Sequence, residues 1–184
     1  MPITALDPNT ALVVIDLQKG ILSFPTAHPH GPVIANAARL ARAFRARSLP
    51  VVLVNVAIAP QGRTDSGPIS FSPPPDFLEI LPELEPQPSD LRVTKRRWGA
   101  FSETPLDAEL RARGVTHIVL AGIATSIGVE SSARYAYEHG YNVTLAVDAM
   151  TDGHALAHDN SVQRIFPRLG ETGSTDDIIQ RLER

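Results

Sequence analysis

Short apolar runs alternate along this chain with stretches in which apolar residues return every three or four positions. Residues 11–15 (ALVVI) and Val51–Val56 (VVLVNV) are β-branched with little alternation, the pattern of strands covered on both faces. Between them Ile34, Ala37, Ala38, Ala41 and Phe44 fall close to one helical stripe with arginines opposite, and Pro32 suits a first helical turn. This predicts a βαβ unit. Residues 91–94 predict a strand ending at Lys95, 117–121 (HIVLA) a strand handing over to a helix near 126–139, 142–147 another strand, and 155–166 a helix ending near Pro167. Such alternation with short connections implies an α/β fold: a doubly wound, mainly parallel sheet of about six strands with helices on both faces. Its functional crevice is expected beyond the carboxyl ends of the strands.

The segment 59–90 breaks the pattern. It holds eight of the chain's 16 prolines, so it predicts a long loop, either a lid or subunit contact or an inert connector. The length of 184 residues fits one domain, 1–184. Seventeen Lys plus Arg against 20 Asp plus Glu give a net charge of −3, spread along the chain, so nucleic acid is not an expected partner. No apolar run approaches the roughly 18 residues that span a bilayer, and the first residues lack a basic stretch ahead of an apolar one. The expectation is a cytoplasmic protein with no membrane partner. With no cysteine, any catalysis must come from oxygen, nitrogen or backbone groups.

Three places carry candidate chemistry. Asp16 directly follows the first strand and Lys95 ends another, so two opposite charges emerge on one sheet edge. Alone, Asp16 reads equally as a turn cap and Lys95 as a solvated surface group. The third place is the turn 122–125, with Gly128 in the first turn of the following helix. Glycine there costs about 1 kcal/mol relative to alanine, so either a close backbone approach or a ligand fills the space of a β-carbon. The stripe Val129, Ser132, Ala133, Ala136 and Tyr137 predicts tight packing of this helix on the sheet. Ser126 reads as a helix N-cap, not a nucleophile, since no spacing places a histidine beside it. His154 and His158 stand four apart, a spacing able to bind metal, but no third ligand groups with them and no metal site is expected. Trp98 and Phe101 are either an apolar wall for a ring-shaped substrate or core and interface anchors.

Taken in order, ALVVIDLQKGI, KRRWGAF and GIATSIGVESSARYAYEHGYNVTLAVDAMTD resemble the isochorismatase-like hydrolases, a superfamily that also holds nicotinamidases and N-carbamoylsarcosine amidases. Most relatives use an Asp, Lys and Cys triad. The resemblance places Asp16, Lys95 and Gly128 on those positions, with Gly128 where the cysteine would stand, as in true isochorismatases that cleave a vinyl ether by protonation. It implies a cis peptide between Ile123 and Ala124 and an anion pocket made by amides near Ala124 and Gly128, lined by Thr125 and Ser126. It implies no cofactor: the stretch 51–63 has no Asp or His for the metal site of nicotinamidases. A homo-oligomer, dimer or larger, is expected from this resemblance and from apolar surface at 59–90, Tyr135 and Tyr137. The expected partner is a small-molecule substrate, with Asp16 as general acid. The alternative is an inactive member that binds a metabolite or serves as a scaffold.

Overall fold

The computed structural model describes residues 3–57, 62–65, 67 and 72–183. Six parallel strands form one sheet: β1 (Thr10–Ile15), β2 (Val51–Val56), β3 (Leu91–Lys95), β4 (His117–Ile123), β5 (Asn142–Thr151) and β6 (Glu171–Gly173), in the order β3-β2-β1-β4-β5-β6. The helices are α1 (His30–Ala46), α2 (Leu106–Ala112), α3 (Glu130–Glu138), α4 (Ala155–Asn160) and α5 (Thr175–Leu182). A π-helical turn, Thr125–Val129, leads directly into α3, and a second, Ser161–Ile165, continues α4. The second of these and a short 3-10 turn, Phe166–Arg168, carry the predicted helix to Pro167.

Strict alternation along β1 sorts the core into two layers. Leu12 and Val14 face α1 and α5, together with Leu53, Val119 and Ile178. Ala11, Val13 and Ile15 face α2 and α3, together with Val54, Leu120, Leu110 and Ala133. Because both faces are covered, β1 is buried throughout and reads as a continuous apolar run. The strand order reverses direction between β1 and β4, and there the carboxyl ends open the crevice in which doubly wound sheets bind ligands.

Several boundaries differ from the sequence reading. β4 runs two residues further than predicted, and Gly122 explains how: it pairs with Ile15 at φ +119°, where a β-carbon would run into the Ile15 carbonyl. The turn before the helix shrinks to Ala124, and β5 continues past a bulge to Thr151. Residues 59–61, 66 and 68–71 of the predicted loop lie outside the described residues. The later part of that loop is built into the core, with Phe77, Leu81 and Leu84 buried and Ile80 bridging to Gln18. No helix among the described residues is long and apolar enough to cross a membrane.

Candidate active site

Parity along β1 would point residue 16 toward α1. Asp16 instead takes a left-handed backbone, φ +52°, which turns its carboxylate toward the α3 side; Asp and Asn are among the few non-glycine residues that adopt this conformation readily. Lys95 shares its parity with buried Val93 and reaches the same side. Lys95 Nζ donates to Asp16 Oδ2 at 2.7 Å and to the Arg97 carbonyl at 3.2 Å. Both residues are nearly inaccessible, Lys95 at 2% and Asp16 at 5%. Asp16 Oδ1 has no hydrogen-bond partner. Burial pushes the Asp16 carboxyl up to about 6, against the opposing pull of the Lys95 charge. The carboxyl is therefore able to hold a proton near neutral pH, and its open oxygen is able to deliver one.

Gly128 closes the third side. A β-carbon there would stand 2.9 Å from Ile15 Cγ2, 3.4 Å from the Trp98 carbonyl and 3.5 Å from Asp16 Oδ2. Of the two readings of this glycine, close approach holds: the helix start is pressed onto the end of β1, and the neighbouring methyl belongs to a β-branched side chain with little rotamer freedom. Gly128→Ala is therefore expected to destabilise by about 1–2 kcal/mol, an overpacking cost reduced by the helix propensity of alanine. In an Ile15→Ala background the same change is expected to cost nothing or to stabilise. Equal penalties in both backgrounds by thermal melting would refute the contact.

The remaining candidates divide. Ala124 is half-buried and follows a cis Ile123–Ala124 bond. Trp98 is 55% exposed, while its carbonyl faces Gly128. Phe101 takes the core alternative: it is buried, and its ring stacks on Tyr135 at 4.6 Å, leaving no free face toward a substrate there. Thr125 is fully buried, and its hydroxyl shares a 2.9 Å hydrogen bond with His158 Nδ1, so it does not line an open pocket. Ser126 is no N-cap; that position is Ala124. The Ser126 amide and hydroxyl both donate to Asp152 Oδ2, each at 2.7 Å, so neither is free to receive an anion.

His154 is exposed and lies outside α4 as its N-cap, with φ −131°, so it shares no helical face with buried His158. The described residues contain no group of three metal-ligating side chains. Burial and the neighbouring His28 hold His158 below the usual imidazole range.

Sequence reasoning missed Asp152 and Gln18, and it singled out His158 only for its spacing from His154 and not for its contact with Thr125, because these partners lie far along the chain. Gln18 is fully buried, donating to the Val56 and Phe77 carbonyls and accepting from the Val56 amide, so it ties the end of β2 to the connection before β3. The only local sign was Gln18 standing two residues past Asp16. Two surface clefts of about 570 and 480 Å³ open at the opposite edge, lined by residues such as Pro50 and Leu91 or His117 and Asn142 at the amino ends of strands. That is not the edge where this sheet gathers its charges.

Residues 10–177 match the isochorismatase domain. The chain belongs to the isochorismatase family of hydrolases. A solved structure of an isochorismatase family protein from Burkholderia thailandensis matches with a TM-score of 0.91 and 45% identity, covering 99% of this chain and 100% of that one. An uncharacterized isochorismatase family protein of Bacillus subtilis, YwoC, is 41% identical over 182 residues, 95% of each chain. The ureidoacrylate amidohydrolase RutB of Pseudomonas syringae pv. syringae is 29% identical over 208 residues, 96% of this chain and 85% of the relative.

Proposed function

We propose that this family member hydrolyses a small carboxylated vinyl ether such as isochorismate, releasing pyruvate, by proton transfer from Asp16 without a thiol nucleophile. The observation that carries the reading is a buried carboxyl with one unpartnered oxygen, its pKa raised by burial, beside Gly128, the position to which the family resemblance assigns the cysteine of most relatives. The Asp16 Oδ1 proton passes to the terminal vinyl carbon; a C–H bond forms as the O–H bond breaks, leaving an oxocarbenium-like centre. Water adds to that centre and returns a proton to Asp16, and the hemiketal collapses with cleavage of the ether C–O bond. Lys95 stabilises the carboxylate formed when the proton leaves, and its remaining N–H is available to the substrate carboxylate. Trp98 and Ala124 are assigned to the substrate's surroundings.

Pyruvate release from isochorismate, coupled to lactate dehydrogenase, tests this; no turnover, with intact fold, would reject it. Similarity to RutB favours amide hydrolysis as the second reading. That route lacks a thiol here, and Ser126 is bound to a carboxylate with no histidine as base. Ureidoacrylate offered in parallel separates the two. We also infer a homo-oligomer, supported by exposed Trp98, Ile127, Tyr137 and Leu156. Light scattering is expected to report a mass well above the 19.9 kDa of one chain, and a monomer at micromolar concentration contradicts this.

A further inference from the structure

The helix that carries Gly128 starts without a local cap. Ala124 has no polar side chain to offer, yet the first turn of any helix exposes amide N–H groups that need acceptors. The acceptor comes from the carboxyl end of β5, the strand paired with β4. Asp152, one residue past that strand and only 2% exposed, takes the Ser126 amide and the Ser126 hydroxyl on Oδ2 and the His154 amide on Oδ1 at 3.1 Å. Asp152 forms no ion pair among the described residues, so three donors and the positive end of a helix hold its charge.

Two neighbouring contacts fasten the same helix start to α4 and its continuation. Thr125 meets His158, whose ring packs edge-on against His28 at 4.7 Å, and the Ser161 hydroxyl donates to Glu130 Oε2 at 2.6 Å. Within the helix the Ser132 hydroxyl donates to the Gly128 carbonyl at 2.7 Å, and Asp152 binds an amide of the turn from outside the helix. Two residues after Ser126 comes Gly128, pressed against Ile15 and Asp16. A shift of the turn by a fraction of an ångström would open the closely packed surroundings of Asp16 to water.

We propose that Asp152 is a positioning residue of this site, a remote carboxylate cap that holds the turn carrying Gly128 against Asp16. The inference rests on the reading of Asp16 as the working acid. It separates Asp152, which touches no reacting atom, from the catalytic pair. The groups facing Asp152 are Ser126, His154 and, more distantly, His158 with His28 behind it; those facing Asp16 are Lys95 and the Gly128 turn.

The test compares Asp152→Ala and Asp152→Asn in the full chain by amide hydrogen exchange and by the pH dependence of pyruvate release from isochorismate. In Asp152→Ala the Ser126 amide is expected to exchange at least about tenfold faster while Ala133, in the same helix, is unchanged. Its kcat is expected to fall about 10- to 100-fold with KM little altered, and its alkaline limb to move to lower pH as water reaches Asp16. Asp152→Asn, which keeps an oxygen acceptor, is expected to recover most of the rate. Unchanged Ser126 exchange in Asp152→Ala overturns the proposal without reference to any substrate. So does a loss of rate that Asn fails to rescue or that leaves the pH limb in place. If Ser126 exchange responds as expected but wild-type protein releases no pyruvate, the vinyl-ether reading fails alone and the cap stands. Should Asp152→Ala fail to fold, Asp152→Asn carries the same exchange and pH readouts, with a smaller expected change.

Discussion

Asp16→Asn is expected to lower kcat for pyruvate release by at least about 100-fold, because positioned proton transfer typically contributes 10²- to 10⁴-fold and an amide has no proton of suitable acidity to give. Asparagine is the informative replacement here. It keeps the shape of the side chain and tolerates the left-handed backbone at φ +52°, whereas alanine would add backbone strain to the loss of the carboxyl. Melting and circular dichroism close to wild type, together with the lost rate, separate chemistry from folding. Full turnover by a folded Asp16→Asn protein would remove Asp16 from the acid role.

Lys95→Met is expected to change stability in a pH-dependent way. In the folded chain Asp16 holds its proton up to about pH 6, against an ordinary carboxyl value of 3.8. Between those values the native state binds more protons than the unfolded one. The group's contribution to stability is thus fully present below about 3.8 and is lost as pH rises toward 6. The Lys95 charge limits that loss by pulling the folded value down. Without it the folded value rises further, and the window of loss extends to higher pH. At pH 8, urea unfolding of Lys95→Met is expected to show a deficit of about 3 kcal/mol, the scale for removing one partner of a buried pair. At pH 4.5 the deficit is expected to shrink or reverse, since Asp16 is then neutral and the variant buries no ammonium. A deficit of equal size at both pH values would contradict the coupling of Lys95 to Asp16.

Most of the sheet was legible because strands covered on both faces are largely apolar, as the runs within β1, β2 and β4 are. The parallel arrangement then placed Asp16 and Lys95 on one edge, and the 2.7 Å between them shows how much topology alone conveys. β6 left no trace, being three half-buried residues that pair along a short stretch of β5. α5 was overlooked although Ser174 and Asp177 form a capping box at its start. Tyr137 was counted on the buried stripe, but eight residues beyond Val129 it has drifted about 80° around an ideal helix, and it stands 54% exposed. The left-handed turn at Asp16 and the Asp152 cap were illegible for a different reason. The first opposes the strand's own alternation, and the second joins residues 26 apart in sequence with no spacing rule to link them.

The pH dependence of kcat/KM for pyruvate release from isochorismate tests the acid role of Asp16 most directly. If the protonated Asp16 is the working form, the rate is expected to be level below about pH 6 and to fall about tenfold for each unit above it. A profile that stays flat through pH 8, or that rises with pH as an ionised base or nucleophile would require, would contradict the account.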